Sequence, residues 1–170
     1  MTSDPARTEA HPQRTEALPQ RTGDRPRTTG ATPHVQLDQH APQVLQDELW
    51  RRMGKLEGVR IGASGISEAR SRALHLDDSA QGPREAFLVN TEFAHLHGDG
   101  SGSLHLTLPR ASAAEAVRQG WGEEHPVVAL GLAAPTLLMV YGPRTLDEFA
   151  VVLRLVGESH AFGRTGAGAA

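Results

Sequence analysis

Glu92-Phe-Ala-His-Leu-His-Gly-Asp-Gly-Ser-Gly-Ser-Leu-His-Leu-Thr-Leu108 decides the fold class. Its middle, Gly98-Asp-Gly-Ser-Gly102, is turn chemistry, because glycine reaches positive φ without steric cost. On either side the residues alternate with period two, the signature of strands with two different faces. Parity groups Phe93, His95 and His97 on one face of the first arm, with Ala94 and Leu96 on the other. On the second arm Ser103, His105 and Thr107 share a face opposite Leu104, Leu106 and Leu108. A loop of residues 98–102 sets His97 against Ser103 and His95 against His105, with opposed Cβ atoms about 4.5–5.5 Å apart. Three imidazoles then converge above a leucine-only face. Glu92 has the other parity and joins them only if the strand bends or starts late.

Outward from this hairpin, the sequence supplies a helix after Pro42, with Leu45, Leu49, Met53 and Leu56 at helical spacing. Val59-Arg-Ile and Ser71 to Leu76 read as strands, as does Glu85-Ala-Phe-Leu-Val-Asn90 after the break at Gln81-Gly-Pro. Ser112-Ala-Ala-Glu115 and Thr145-Leu-Asp-Glu148 are capping-box patterns that open helices. Gly120 ends the first of these, and Phe149, Val152, Leu153 and Val156 line one face of the second. Between them the apolar run Thr136 to Tyr141 reads as a central strand. The expectation is a single α+β domain over residues 41–163, a mainly antiparallel sheet containing the histidine-lined hairpin with about three helices. Residues 1–40 repeat Arg-Thr-Glu-Ala with Pro12, Pro19 and Pro26 and few apolar side chains, the composition of a disordered tail. Residues 164–170 are small and polar and read as a frayed end.

The 170 residues include no cysteine, which excludes disulfides, thiolate metal sites and cysteine nucleophiles. A net charge of −3, with no basic run interleaved with aromatics, gives no footprint for nucleic acid. The start lacks a secretory apolar region, and no window approaches the roughly 18 apolar residues of a membrane helix. Gly-x-Gly-x-x-Gly and P-loop patterns are absent from strand-to-helix junctions. A cytoplasmic protein with a small-molecule partner and no membrane or nucleic-acid partner is the expectation.

Two chemistries suit His95, His97 and His105. Neutral imidazole is the commonest nitrogen ligand, and three on one face hold a divalent metal with positions left open. Alternatively one histidine removes a proton from an acidic substrate and another stabilises the anion. A plain solvent-facing histidine surface is the structural alternative. Downstream, Gly120-Trp-Gly-Glu-Glu-His-Pro126 holds His125 extended before proline, either completing the cluster or capping a turn. Trp121 reads as a core plug or a substrate wall, and Arg144, after Tyr141-Gly-Pro, as an anion binder or a structural pair. Asp77 and Asp78 read as a turn.

The ordered runs Glu92-Phe-Ala-His-Leu-His, Ser103-Leu-His-Leu-Thr-Leu, Gly120-Trp-Gly-Glu-Glu-His-Pro and Tyr141-Gly-Pro-Arg, with Ser159 in the last helix, resemble the luciferase domain of fungal bioluminescence and its bacterial relatives. The resemblance covers roughly residues 42–163. It implies a reaction with molecular oxygen on a hydroxylated pyrone or a related enolic or phenolic substrate. It also implies a site lined by His95, His97, His105 and His125, with Glu92, Trp121, Tyr141 and Arg144 beside it. The fungal proteins carry an N-terminal membrane anchor where this chain has its polar tail, so the resemblance points to shared chemistry more than to a shared substrate.

Overall fold

The computed structural model describes residues 17–78 and 80–168. Six strands form one antiparallel sheet in the order β1-β2-β3-β4-β6-β5. In chain order these are β1 (Val59–Ala63), β2 (Arg72–Leu76), β3 (Glu92–Leu96), β4 (Leu104–Thr107), β5 (Gly122–Glu124) and β6 (Leu137–Val140). Four helices accompany them: α1 (Gln43–Met53), α2 (Arg110–Arg118), the short α3 (Pro126–Ala129) and α4 (Leu146–Thr165). The α+β expectation holds. No helix among the described residues is long and apolar enough to cross a membrane.

The leucine face of the hairpin builds the core. Leu96, Leu104, Leu106 and Leu138 are fully buried, and α4 lies over β3 and β4 with Val152, Leu155 and Val156 pointing into the same cluster. Thr145 caps α4 as its pattern predicts, accepting from the Glu148 backbone N–H. α1 packs on α4 through Leu49 and Met53 and is tied to the hairpin tip. Gln46 Nε2 donates to the carbonyls of Ala41 and Gly100, and Ala41 N donates to Ser101 O. Gly102 allows this approach: its φ is +76°, and a Cβ there would meet Ala41 and Gln46 at 2.6 and 2.9 Å.

Several local expectations are corrected. Residues 85–90 are not a strand: one 3-10 turn, Arg84–Ala86, is followed by a tight turn in which Asn90 takes φ +50°. The carbonyls of Glu85 and Ala86 accept from the hydroxyls of Thr136 and Thr107, so side chains replace the ladder. α2 begins at Arg110 after Pro109, without a side-chain cap, instead of at Ser112. Glu115 serves another purpose: its Oε1 accepts from Leu18 N at 2.8 Å.

That bond belongs to the largest correction. Residues 17–40, expected as a solvated tail, lie against the domain, with Leu18, Arg21, His34 and Gln36 buried. Thr28 and Gln36 pair as a small antiparallel turn. Trp121 Nε1 donates to Pro19 O, Gly142 N donates to Gln36 Oε1, and Arg144 reaches Gln39 and the Thr22 carbonyl. The segment carries no periodic apolar face; polar side chains and backbone groups hold it, which a hydrophobic pattern cannot announce. The repeat at residues 7–16 lies outside the described residues. At the other end α4 continues to Thr165, where Gly166 closes it at φ +70°.

Candidate active site

The hairpin register is the one its parity requires. His95 pairs with His105, and His97 N donates to Ser103 O at 3.0 Å. The row continues across the sheet, because Ala73 pairs with His95, and Met139 pairs with both His105 and Glu123. Glu123 therefore shares the histidine face. The solvent-facing alternative does not hold: His95, His97 and His105 are 1%, 4% and 6% exposed.

Glu92 joins this face against its nominal parity. Between β2 and β3 the pairing steps from Leu74↔Ala94 to His75↔Glu92, so β3 spends one extra residue, Phe93. Such a bulge reverses the alternation beyond it. Phe93, expected beside the histidines, instead packs in the core near the His160 ring. Glu92 turns toward the cluster, where its Oε1 lies 2.7 Å from His95 Nδ1. Ser64 Oγ and Gly65 N donate to the same carboxylate, each at 2.8 Å. Burial pushes this carboxyl up, but the hydrogen bonds from His95, Gly65 and Ser64 outweigh it and hold it below the ordinary range. An ionised Glu92 places the His95 proton on Nδ1.

On the other side the cluster is completed from residues 17–40. His34 Nδ1 lies 3.2 Å from His105 Nε2, and its Nε2 lies 2.7 Å from Glu123 Oε1. Tyr141 donates its hydroxyl to Glu123 Oε2 at 2.8 Å. Burial pushes Glu123 up, and the hydrogen bonds from His34, Thr28 and Tyr141 bring it below its ordinary value. Burial and the bond to Glu123 push the Tyr141 phenol upward. His125 caps α3, its Nδ1 accepting from Val127 N at 3.3 Å, with its ring centroid 4.6 Å from that of His105. Inside the cluster His105 Nδ1 lies 3.2 Å from His95 Nε2 and 3.0 Å from His97 Nε2. His97 Nδ1 lies 2.8 Å from Ser103 Oγ, which in turn meets Ser101 Oγ.

Burial, reinforced by neighbouring imidazoles, depresses these rings. His97 is lowered to about 4, His105 well below its ordinary value, and His125 to about 4. His97, His105 and His125 are thus neutral at pH 7, each with one nitrogen lone pair free. Two triads, His95–His97–His105 and His34–His105–His125, bring ligand atoms within 4.8 Å of one another among the described residues.

These rings form one wall of a cavity of about 280 Å³, lined elsewhere mainly by Pro33, Val35, Ile66, Leu88, Val127 and Leu137, with Thr32, Ser67 and Glu68. Of the residues expected at the site, His95, His97, His105 and His125 line it, and Glu92 stands behind His95. Tyr141 stands behind Glu123, one residue removed. Trp121 belongs to the hydrophobic core and anchors Pro19. Arg144 pairs with Glu148 and holds residues 22–39. Asp77 and Asp78 follow β2 and do not line the cavity. His34 and Glu123 were absent from the expected set. Glu123 had a signal, its place on a short strand beside the central apolar run; His34 had none in local sequence.

Residues 90–159 match the Luciferase domain family. The luciferase-domain match runs from the turn before β3 into α4, and so contains every expected site residue but not His34. Similar proteins are the luciferases of Armillaria gallica and Armillaria mellea, each 33% identical over 88 residues, covering 49% of this chain and 33% of the relative. The luciferase of Neonothopanus nambi is 34% identical over 70 residues, covering 40% of this chain and 26% of that protein. The chain thus spans about a third of the length of the curated relatives it matches. No solved structure matches it.

Proposed function

We propose that this chain is an oxygenase-like enzyme of the cytoplasm, acting on a small enolic, phenolic or pyrone-type substrate held against the hairpin histidines. The observation that carries this is the cavity itself: a mainly apolar chamber with one wall of imidazoles backed by two carboxylates. Its volume of about 280 Å³ suits a single substituted ring, near the lower end of roughly 300–1,000 Å³ for small-molecule sites. The reaction needs the acidic hydroxyl to lose its proton and the resulting anion to be held while oxygen adds. The imidazole wall supplies donors and lone pairs for that, beside the apolar lining of Val35, Leu88, Val127 and Leu137. Similarity to proteins named luciferase supports an oxygen-dependent reaction.

The test is oxygen uptake by the purified full chain, offered hydroxypyrones, catechols and cyclic enols. Uptake with at least one of them, lost in His105→Gln while circular dichroism is unchanged, is the expected result. A second reading, a binding module without turnover, is favoured by His97 and His125 lying near 4, below the range of an efficient base at neutral pH. One-to-one binding of such a compound with no oxygen uptake would establish that reading instead.

A further inference from the structure

Three of the rings stand in line between two carboxylates: Glu92, His95, His105, His34, Glu123. The line has four polar contacts. With one N–H on each ring, the three imidazoles bring only three N–H groups to it. The ionised carboxylates take one from His95 Nδ1 and one from His34 Nε2. His105 then has a single N–H for two neighbours, each presenting a lone pair at 3.2 Å. One contact between nitrogens is left without a hydrogen, in a place shielded from water, and such an unmade bond is costly.

An added proton or a metal ion would each fill the gap. The fourth ring separates them. His97 Nε2 also points at His105 Nδ1, at 3.0 Å. A proton bridges two nitrogens, whereas an ion gathers three. Nitrogens at about 2.0–2.1 Å from one ion lie about 2.8–3.4 Å apart for angles between a right angle and a tetrahedral one. The separations of 3.0 and 3.2 Å are of that size.

We propose that His95 Nε2, His97 Nε2 and His105 Nδ1 bind one divalent first-row transition-metal ion, with His34 fixing His105 from behind. Every distal nitrogen then has an acceptor: His95 Nδ1–H donates to Glu92, His97 Nδ1–H to Ser103 and His105 Nε2–H to His34. Ligating histidines are oriented in this way by outer partners. The same accounting rejects the rival triad. His125 Nδ1 accepts from Val127 N, so its neutral ring carries the proton on Nε2 and offers no lone pair there. A set of imidazoles without thiolate suits zinc, iron, cobalt, nickel or copper rather than magnesium or calcium. All three rings line the cavity. The site stands on the nitrogen separations and the outer partners of the three rings and does not require the oxygenase reading.

The experiment uses the full chain, stripped with a chelator and titrated separately with Zn2+ and Co2+, followed by metal analysis and the visible bands of cobalt. One equivalent is expected, with a rise in thermal midpoint on loading. Binding is lost in His95→Gln, His97→Gln and His105→Gln. His125→Gln keeps one equivalent at unchanged affinity. His34→Ala keeps one equivalent but binds roughly 10–100-fold more weakly, the usual effect of losing an outer partner. Absence of stoichiometric binding in the wild-type chain overturns the proposal. So does retention in His97→Gln with loss in His125→Gln, which would put the ion in the other triad. Should one variant fail to fold, the wild-type titration and the remaining substitutions still decide. Oxygen uptake is not read here, so the two proposals stand or fall separately.

Discussion

Glu148→Gln tests how residues 17–40 are held over the histidine cluster. Glu148 Oε1 accepts from Arg144 Nε at 3.0 Å and lies 3.7 Å from Arg21 Nε, and Oε2 accepts from Arg144 N at 2.8 Å. The Arg21 and Glu148 side chains are only 2% and 6% exposed. Glu148 is the one carboxylate within ion-pair distance of Arg21 among the described residues. Glutamine keeps the volume but removes the charge, leaving a buried guanidinium uncompensated, which costs roughly 3–5 kcal/mol. Glu48→Gln is the control: Glu48 also meets two arginines, Arg51 and Arg52, but both are 51% exposed, and exposed pairs contribute about 0.2–1 kcal/mol. Urea denaturation of both variants measures the difference, and limited trypsin digestion reads release of the arginine-rich segment. Equal losses in the two variants, or a trypsin pattern unchanged in Glu148→Gln, would refute the claim that a buried ion pair fastens this segment and with it His34.

Acidification of the metal-free protein should destabilise it between about pH 6.5 and 4. A histidine lowered in the fold binds fewer protons there than in the unfolded chain, so its stability is complete above 6.5 and falls as pH drops through its folded value. For His97, 4% exposed and lowered from 6.5 to about 4, the loss is at most about 3 kcal/mol at 1.36 kcal/mol per unit. A urea midpoint that stays level from pH 7 to 4.5 would contradict the buried neutral cluster. Gly98→Ala places a Cβ 2.4 and 2.6 Å from the Arg70 backbone carbon and oxygen, and should cost about 1–3 kcal/mol; an unchanged thermal midpoint would show that this turn sits further from Arg70.

The sequence by itself determined the hairpin, its register and its leucine and histidine faces, because alternation along a strand is a local property of the backbone. Phe149, Val152 and Val156, with Thr145 as cap, made α4 legible for the same reason: both signals lie within a few residues of each other. Tertiary structure decided what depends on a second segment. Glu92 reaches His95 only because β3 carries one more residue than β2 at that point, and a bulge is a relation between two strands, not a property of one. His34 meets His105 across 71 positions of chain, carried by a segment that buries few apolar side chains and is held by hydrogen bonds and ion pairs. Arg144 and Trp121 turned out to fasten that segment instead of lining the cavity, since the same side chain can serve either purpose until its partner is known. Three of the clustered histidines could be read from a pattern of period two; the carboxylates that set their protons, and the ring behind His105, were decided by the packing of distant parts of the chain.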